Sequence, residues 1–490
     1  MEINMNKTLR GILKKRFSLY PDDSLFSFKK NDSADICKVT TKEFFHDVAV
    51  LGGELLNRGY KKSNIAIYGE NSYAWILAYF AITASGNTAV LLDYHLPENE
   101  LSKLIVFTDC KCVLYSPSYE DIGSAIERKT GIPFFETEVL FEESCRRSRE
   151  ENIKACEAIT VLADDPASIA FTSGTSGEFK GVVLSNGNLT SDIESLKREL
   201  QSKGTFLQIL PFYHLFGLLS PIYAMFVNQC IYIEDSLRNV TEDTAKYQFD
   251  LIAAVPAMLP LLFEGYRNNE NGKKVRIVCG GAPEDKSMLT KLIGIGVDVY
   301  IGYGMTECSP CIAIGHDYNG INDTFMHVID VNTVTIDEPD ENGIGEILVS
   351  GDNVMLDYYK MPEETEKVLR DGVLRTGDLG MLDKNGRLTV TGRKKNIIAL
   401  PNGEKVSPEA VEQKVRLING VSECMLELQN GMLILSVWAP DGDRDSIQKE
   451  IVDLNRTFPS SKRIAKTVFS ETSFAVNSIG KIIRKKTGKP

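Results

Sequence analysis

The sequence predicts an α/β fold in two parts. A large N-terminal domain of αβ-layered sheets, carrying a small β-rich subdomain, is expected over 1–393, and a small α+β C-terminal domain over 394–490. Three observations lead there. Short apolar runs alternate with helix-patterned runs from Asn64 to Ile301, as in a largely parallel sheet covered on both faces. From about 328 to 391 the pattern changes to short alternating strands, with Lys384-Asn-Gly386 as a hairpin turn. Beyond Gly392-Arg-Lys-Lys-Asn396 the chain begins a fresh αβ series. Its 490 residues also exceed one ordinary domain.

Residues 6–60 read as a helical layer. Thr40 or Thr41 caps an amphipathic helix with Phe44, Val48, Leu51 and Leu55 at helical spacing, closed by Gly59. Asn64–Tyr68 is a strand, Ser72–Ala84 a helix and Thr88–Leu92 a strand. A helix opens at Pro97 and gives way to the strand Cys112–Tyr115. The acidic stretch 118–165 is poorly patterned. Ala167–Phe171 and Val182–Leu184 are strands, followed by a helix over Asn186–Leu200 and a strand over Thr205–Leu210. Gly204–Ile233 carries no charge, but Pro211, His214, Pro221 and Gln229 interrupt it. It reads as strand, turn, helix and strand in a core rather than as a membrane span. Strands follow at Leu251–Ala254, Val275–Cys279 and Val297–Ile301, with a helix over Ala257–Tyr266. The tail has helices near Ser407–Leu417 and Arg444–Asn455, and strands at Val421–Gln429, Leu433–Ala439 and Lys466–Phe469.

The net charge of −12 argues against general binding to nucleic acid or an anionic membrane. No transmembrane segment is expected, and a peripheral membrane contact is left open. The N-terminus is basic without an apolar core segment, so it is not a secretory leader. Ten scattered cysteines fit a reducing, cytoplasmic setting. Cys308-Ser-Pro-Cys311 has redox or zinc spacing but no second pair.

The chemistry centres on Phe171–Gly181, FTSGTSGEFKG. A glycine-rich turn between strands can aim several backbone N–H groups at one point. Hydroxyls and a lysine around such a nest suit a polyphosphate; the alternative is a polar hairpin turn. It is not the common NTPase loop, because Lys180 is followed by Gly181 rather than Ser or Thr. Further loops leave strand ends, where open α/β sheets place ligands: LPFYHLFG from Leu210, GGAP from Gly280, and GYGMTE from Gly302.

The pattern T-S-G-T-S-G-x-x-K-G resembles the phosphate loop of the adenylate-forming (AMP-binding) enzymes, with Phe179 where that family usually has proline. Together with GEILVSG, LRTGDLG, GRKKNII, NGEKVSPEAVE and SIGKIIRK, these loops stand in the order of an acid–thiol ligase. The chain is most similar to the long-chain fatty acyl-CoA synthetases. The resemblance implies an ATP-dependent ligase that forms an acyl adenylate, releases pyrophosphate and passes the acyl group to a thiol. It implies ATP, Mg2+ and coenzyme A, and a small mobile C-terminal domain.

Residue by residue, it implies that Thr172, Ser173, Gly174, Thr175, Ser176, Gly177 and Lys180 hold the β- and γ-phosphates. Glu307 binds Mg2+ and Thr306 donates to the α-phosphate. Tyr303, Gly304 and the Gly281-Ala282-Pro283 turn hold the adenine, and Asp378 accepts from the ribose hydroxyls. Arg393 contacts ribose or phosphate, Lys395 is the hinge, and Lys481 bridges the attacking carboxylate and ATP. Taken alone, Tyr303 reads as core, the Thr-Gly-Asp as a turn, and Lys481 as one more lysine of a basic tail.

His214 and Phe212 lie in the loop that lines the acid pocket in that family, near Gly281. A lone histidine among apolar residues is also a common core residue. No acidic residue occurs between Thr205 and Ile233, which disfavours an α-amino acid and favours an apolar acid. The segment 320–330 departs from the family pattern beside this pocket. The thiol is coenzyme A or the arm of a separate acyl carrier protein; a stand-alone adenylation enzyme for an aryl acid, a non-catalytic acyl- or nucleotide-binding relative and a phosphate-loop kinase are the other readings.

Overall fold

In the computed structural model, residues 7–29, 35–173, 179–200, 202–234, 236–268, 275–282, 286–316, 325–402 and 404–475 are described. Two large sheets form the body. The seven-stranded sheet runs Asp357–Tyr358, Phe179–Ser185, Pro166–Ser173, Thr88–Leu92, Asn64–Tyr68, Cys112–Tyr115 and Phe134–Glu136 in spatial order. Its last five strands are parallel, and Phe179–Ser185 returns antiparallel on Pro166–Ser173 as a hairpin. In the nine-stranded sheet, Asp298–Gly304, Arg276–Gly280, Leu251–Ala254, Thr205–Gln208, Cys230–Ile233 and Ser24–Lys29 pair in parallel. Antiparallel strands close both edges: Cys311–Gly315 and His327–Val328 on one side, Ile36–Thr40 on the other.

Apolar helix faces pack on these sheets. Tyr73–Ala84 buries every residue from Ala74 onward, as a helix apolar all round must. Thr41–Asn57 opens with a capping box: the Thr40 side chain accepts from the Glu43 backbone, and Glu43 reaches back to Thr40. The charge-free stretch folds as strand, turn, helix Leu215–Phe226 and strand. No helix among the described residues is long and apolar enough to cross a membrane.

Two expectations are corrected. The N-terminal layer is not wholly helical, because Ser24–Lys29 and Ile36–Thr40 form an antiparallel pair on the nine-stranded sheet. The stretch 118–165 holds three helices, Glu120–Thr130, Thr137–Arg147 and Arg149–Ala158.

A five-stranded antiparallel sheet follows, built on Asn332–Asp337, Gly345–Gly351, Val373–Leu382, Leu369–Arg370 and Leu388–Arg393. Beyond it Glu423–Gln429, Met432–Trp438 and Lys466–Ser470 form a three-stranded sheet. That sheet and its helices share a core of their own, with Val415, Cys424, Leu435, Val437 and Ile451 at its centre. The molecule is therefore an α/β body with a β-rich appendage and a small α+β part.

Candidate active site

The strand-end loops named from the sequence converge on one cavity of about 1340 Å³, lined from both large sheets and from the five-stranded sheet. Ligand pockets commonly run to about 300–1,000 Å³, so this one has room for more than one small substrate.

At one end lies the hairpin. Its register sets Thr172 opposite Lys180, and both line the cavity. The side chain of Ser173 and all of Gly174, Thr175, Ser176 and Gly177 lie outside the described parts. The Lys180 ammonium is 2.6 Å from Glu364 Oε2 and 4.8 Å from the centre of the Tyr358 ring. That contact holds the Glu364 carboxyl down at about 2.

Thr306–Cys308 form one turn of 3-10 helix just past the strand Asp298–Gly304. A Cβ on Gly304 would sit 1.8 Å from the Pro310 carbonyl oxygen, so the close return of the chain there requires glycine. Glu307 is 6% exposed and accepts a 2.7 Å bond from the Tyr358 hydroxyl. Burial pushes its carboxyl up, and the Tyr358 bond opposes that shift.

The residues expected at the ribose form a chain. The Tyr303 hydroxyl donates to Asp378 Oδ2 at 2.9 Å, and Arg393 Nε lies 2.8 Å from Asp378 Oδ1. Asp378 and Arg393 are cross-strand partners, which is why motifs separate in sequence meet here. Burial, with Asp378 next, pushes the Tyr303 phenol well up. Gly281 holds a left-handed φ of 80° and lines the cavity with Gly304. Ala282 is described but is not among the lining residues; Pro283 lies outside the described residues. Lys395 lines the cavity beside Arg393 and Lys394, within the short turn Lys394–Asn396. Lys481 lies outside the described residues.

His214 lines the cavity, half-buried; burial pushes its imidazole down to about 4, against a smaller pull from Asp93. Phe212 is corrected from pocket to core. It is 1% exposed, its ring stacks on Trp75 at 5.1 Å, and its N–H donates to Asn71. Cys308 is buried and Cys311 half-buried. Both thiols are pushed well up by burial, and no group of three ligating side chains among the described residues could hold a metal.

Several site residues carried no sequence signal. Tyr358 and Glu364 arrive beside Lys180 because the two-residue strand Asp357–Tyr358 pairs with Val182 and Val183. Glu234 also lines the cavity, one residue past the charge-free stretch; burial and its neighbour Asp243 raise its carboxyl. The fully buried Asp192 accepts from Cys311 N–H and the Asn353 amide, fastening the segment behind Glu307.

Residues 13–359 match the AMP-binding enzyme family. The chain belongs to that family. It is 27% identical over 429 residues to a 2-succinylbenzoate–CoA ligase of Oceanobacillus iheyensis, covering 86% of each chain. It is 28% identical over 360 residues to a long-chain-fatty-acid–CoA ligase of Haemophilus influenzae, covering 66% of this chain and 62% of that one. Its fold matches ATP-bound MatB from Rhodopseudomonas palustris with a TM-score of 0.81, at 22% identity over 97% of both chains. The family sets the reaction type: an AMP-forming acid–thiol ligase that draws on ATP.

Proposed function

We propose that the chain activates an apolar carboxylic acid, a fatty acid above all, as its acyl adenylate, and then transfers the acyl group to coenzyme A. The observation supporting the acid class is the apolar part of the cavity wall, supplied by the helices Asn186–Glu199 and Leu215–Phe226 and by the nine-stranded sheet. Leu196, Leu200, Phe206, Leu219, Tyr223 and Leu251 belong to it. An alkyl chain gains about 25 cal/mol for each Å² it buries there, whereas an ammonium would be desolvated without a counter-charge. The strand–turn–helix stretch that supplies much of this wall, Gly204–Ile233, brings no carboxylate of its own.

The nucleotide occupies the polar end. Lys180 exchanges Glu364 for the β- and γ-phosphates, with Thr172, Ser173, Gly174, Thr175, Ser176 and Gly177 supplying donors. Adenine lies against Tyr303, Gly304 and the Gly281–Pro283 turn, ribose on Asp378, and Arg393 on ribose or phosphate. Thr306 donates to the α-phosphate. Glu307 fits a nucleotide-bound Mg2+: one desolvated carboxylate with heightened cation affinity suffices, because Mg2+ takes most of its ligands from water and phosphate. When bound, the ion neutralises phosphate charge.

The acid's carboxylate then meets the α-phosphorus in line, with Lys481 offsetting the repulsion of two anions. Positioning and electrostatics dominate such transfers. Turning the C-terminal part about Lys395 withdraws Lys481 and admits the thiol beside the Pro401–Val406 loop. No disulfide joins any of the ten cysteines, which fits a cytoplasmic enzyme.

The test is pyrophosphate release from ATP over a panel of dodecanoate, 2-succinylbenzoate, malonate and phenylalanine, with and without coenzyme A. Dodecanoate is expected to drive release and to yield its coenzyme A thioester. Preference for a dicarboxylate or for phenylalanine would refute the acid class. Thioester formation on a carrier protein but not on coenzyme A would refute the acceptor.

A further inference from the structure

Two imidazoles stand in the cavity wall, His95 and His214. The thioester step needs a proton acceptor, because a thiol of pKa about 8.5 is only a few per cent thiolate at pH 7. His214 is a weak acceptor, because burial pushes it down to about 4.

His95 stands differently. It follows the strand Thr88–Leu92 at the seam between the two large sheets. Asp93 Oδ1 accepts the His95 backbone N–H at 2.9 Å and lies 3.1 Å from ring Nδ1. The Tyr213 hydroxyl, from a loop of the other sheet, is 3.4 Å from the same nitrogen, and the Tyr94 ring lies against the imidazole with centroids 4.2 Å apart. A carboxylate only accepts, so Nδ1 carries the hydrogen, and in the neutral imidazole Nε2 is then the nitrogen with the lone pair. The ring is fixed on three sides yet its side chain is 62% exposed, which leaves Nε2 within reach of a ligand entering from solvent. This is the base-and-orienter arrangement of general base catalysis.

We propose that His95, oriented by Asp93, is the general base of the thioester step; the inference rests on the coenzyme A reading above. Nε2 takes the thiol proton as the sulfur attacks the acyl carbonyl. The S–H bond breaks and the S–C bond forms. The C–O bond to the phosphate then breaks, and its electron pair leaves with AMP. The titratable groups facing the imidazole are Asp93, Tyr94, Tyr213 and His214, with Glu70 and Tyr119 beyond Tyr94.

The experiment supplies preformed dodecanoyl-AMP and coenzyme A and follows the thioester in a single turnover from pH 6 to 9.5. Wild type, His95→Gln, Asp93→Asn and His95→Ala with added imidazole are compared. At pH 7 the few per cent of free thiolate caps the benefit of a base, so His95→Gln should slow the step about 30-fold. That deficit should close as the pH approaches 9, where the thiol ionises unaided. Asp93→Asn should lose about 3- to 10-fold, and imidazole should partly rescue His95→Ala. His95→Gln within about twofold of wild type at pH 7, a deficit independent of pH, or an equal loss of adenylate formation would each overturn the proposal. Failure of the wild type to make thioester from these two reagents would overturn the coenzyme A reading, and the inference with it.

Discussion

Tyr358→Phe removes one oxygen at the point where Lys180, which we propose holds phosphate, and Glu307, which we propose holds Mg2+, meet. The Tyr358 hydroxyl is 2.7 Å from Glu307 Oε1, while its ring faces Lys180 at 4.8 Å. Phenylalanine keeps the ring and deletes the bond. Hydrogen bonds to charged groups contribute about 1.5–3 kcal/mol, and each 1.4 kcal/mol is about tenfold. The ionised form of Glu307 therefore loses about 1.5–3 kcal/mol of stabilisation. The sign follows from the opposing causes: burial raises the Glu307 carboxyl and the Tyr358 bond lowers it, so the variant moves it further up. Protons then compete better with the metal. In acid-dependent pyrophosphate release, the free Mg2+ needed for half-maximal rate should rise as the pH is lowered, by up to about 10- to 100-fold. The gap should narrow at higher pH, and KM for ATP at saturating Mg2+ should hold. An unchanged Mg2+ requirement in a normally folded variant would refute the link between Tyr358 and Glu307.

Glu364→Gln frees Lys180 from a competing carboxylate, so KM for ATP should fall about 2- to 5-fold; an ATP titration showing a rise would mean that Glu364 helps to place the lysine. Lys481→Ala should slow adenylate formation about 100- to 1,000-fold, the cost of one preorganised donor, while sparing thioester formation from supplied acyl adenylate; parallel loss of both steps would contradict that division of labour. Ala253→Phe fills the apolar part of the cavity, where Ala253 is 4% exposed; a chain-length profile should shift from dodecanoate toward hexanoate, and an unshifted profile would place the chain elsewhere. His214 has a depressed folded pKa, about 4 against 6.5, so the unfolded state binds more protons between those values. Stability should drop by up to about 3 kcal/mol as pH falls through that window. His214→Gln should lessen the drop in denaturant titrations at pH 7.5 and 4.5, and identical pH sensitivity would refute it.

Strands buried on both faces were legible because nothing competes with an apolar run bounded by turns. Asn64–Tyr68, Thr88–Leu92, Cys112–Tyr115 and Leu251–Ala254 stand where the pattern places them. The helix Glu120–Thr130 was not legible, because it buries only Gly123 and Ile126 and so has a narrow apolar stripe. The hairpin Ser24–Lys29 and Ile36–Thr40 escaped for the opposite reason: its strands alternate weakly at a sheet edge. In the site, residues carried by contiguous motifs could be read from the chain, since each motif is one loop at one strand end. Tyr358 and Glu364 could not, because a pairing distant in sequence brings them to Lys180. Phe212 shows the remaining limit: a loop motif names the residues near a pocket but not which of them turn toward the core.

Acid-dependent exchange of labelled pyrophosphate into ATP, run without coenzyme A, tests the acyl adenylate most directly. Dodecanoate should support exchange on its own, and coenzyme A should then release AMP and the thioester. Exchange that requires coenzyme A from the start, or ADP in place of AMP as the nucleotide product, would contradict a carboxylate attack on the α-phosphorus in this cavity.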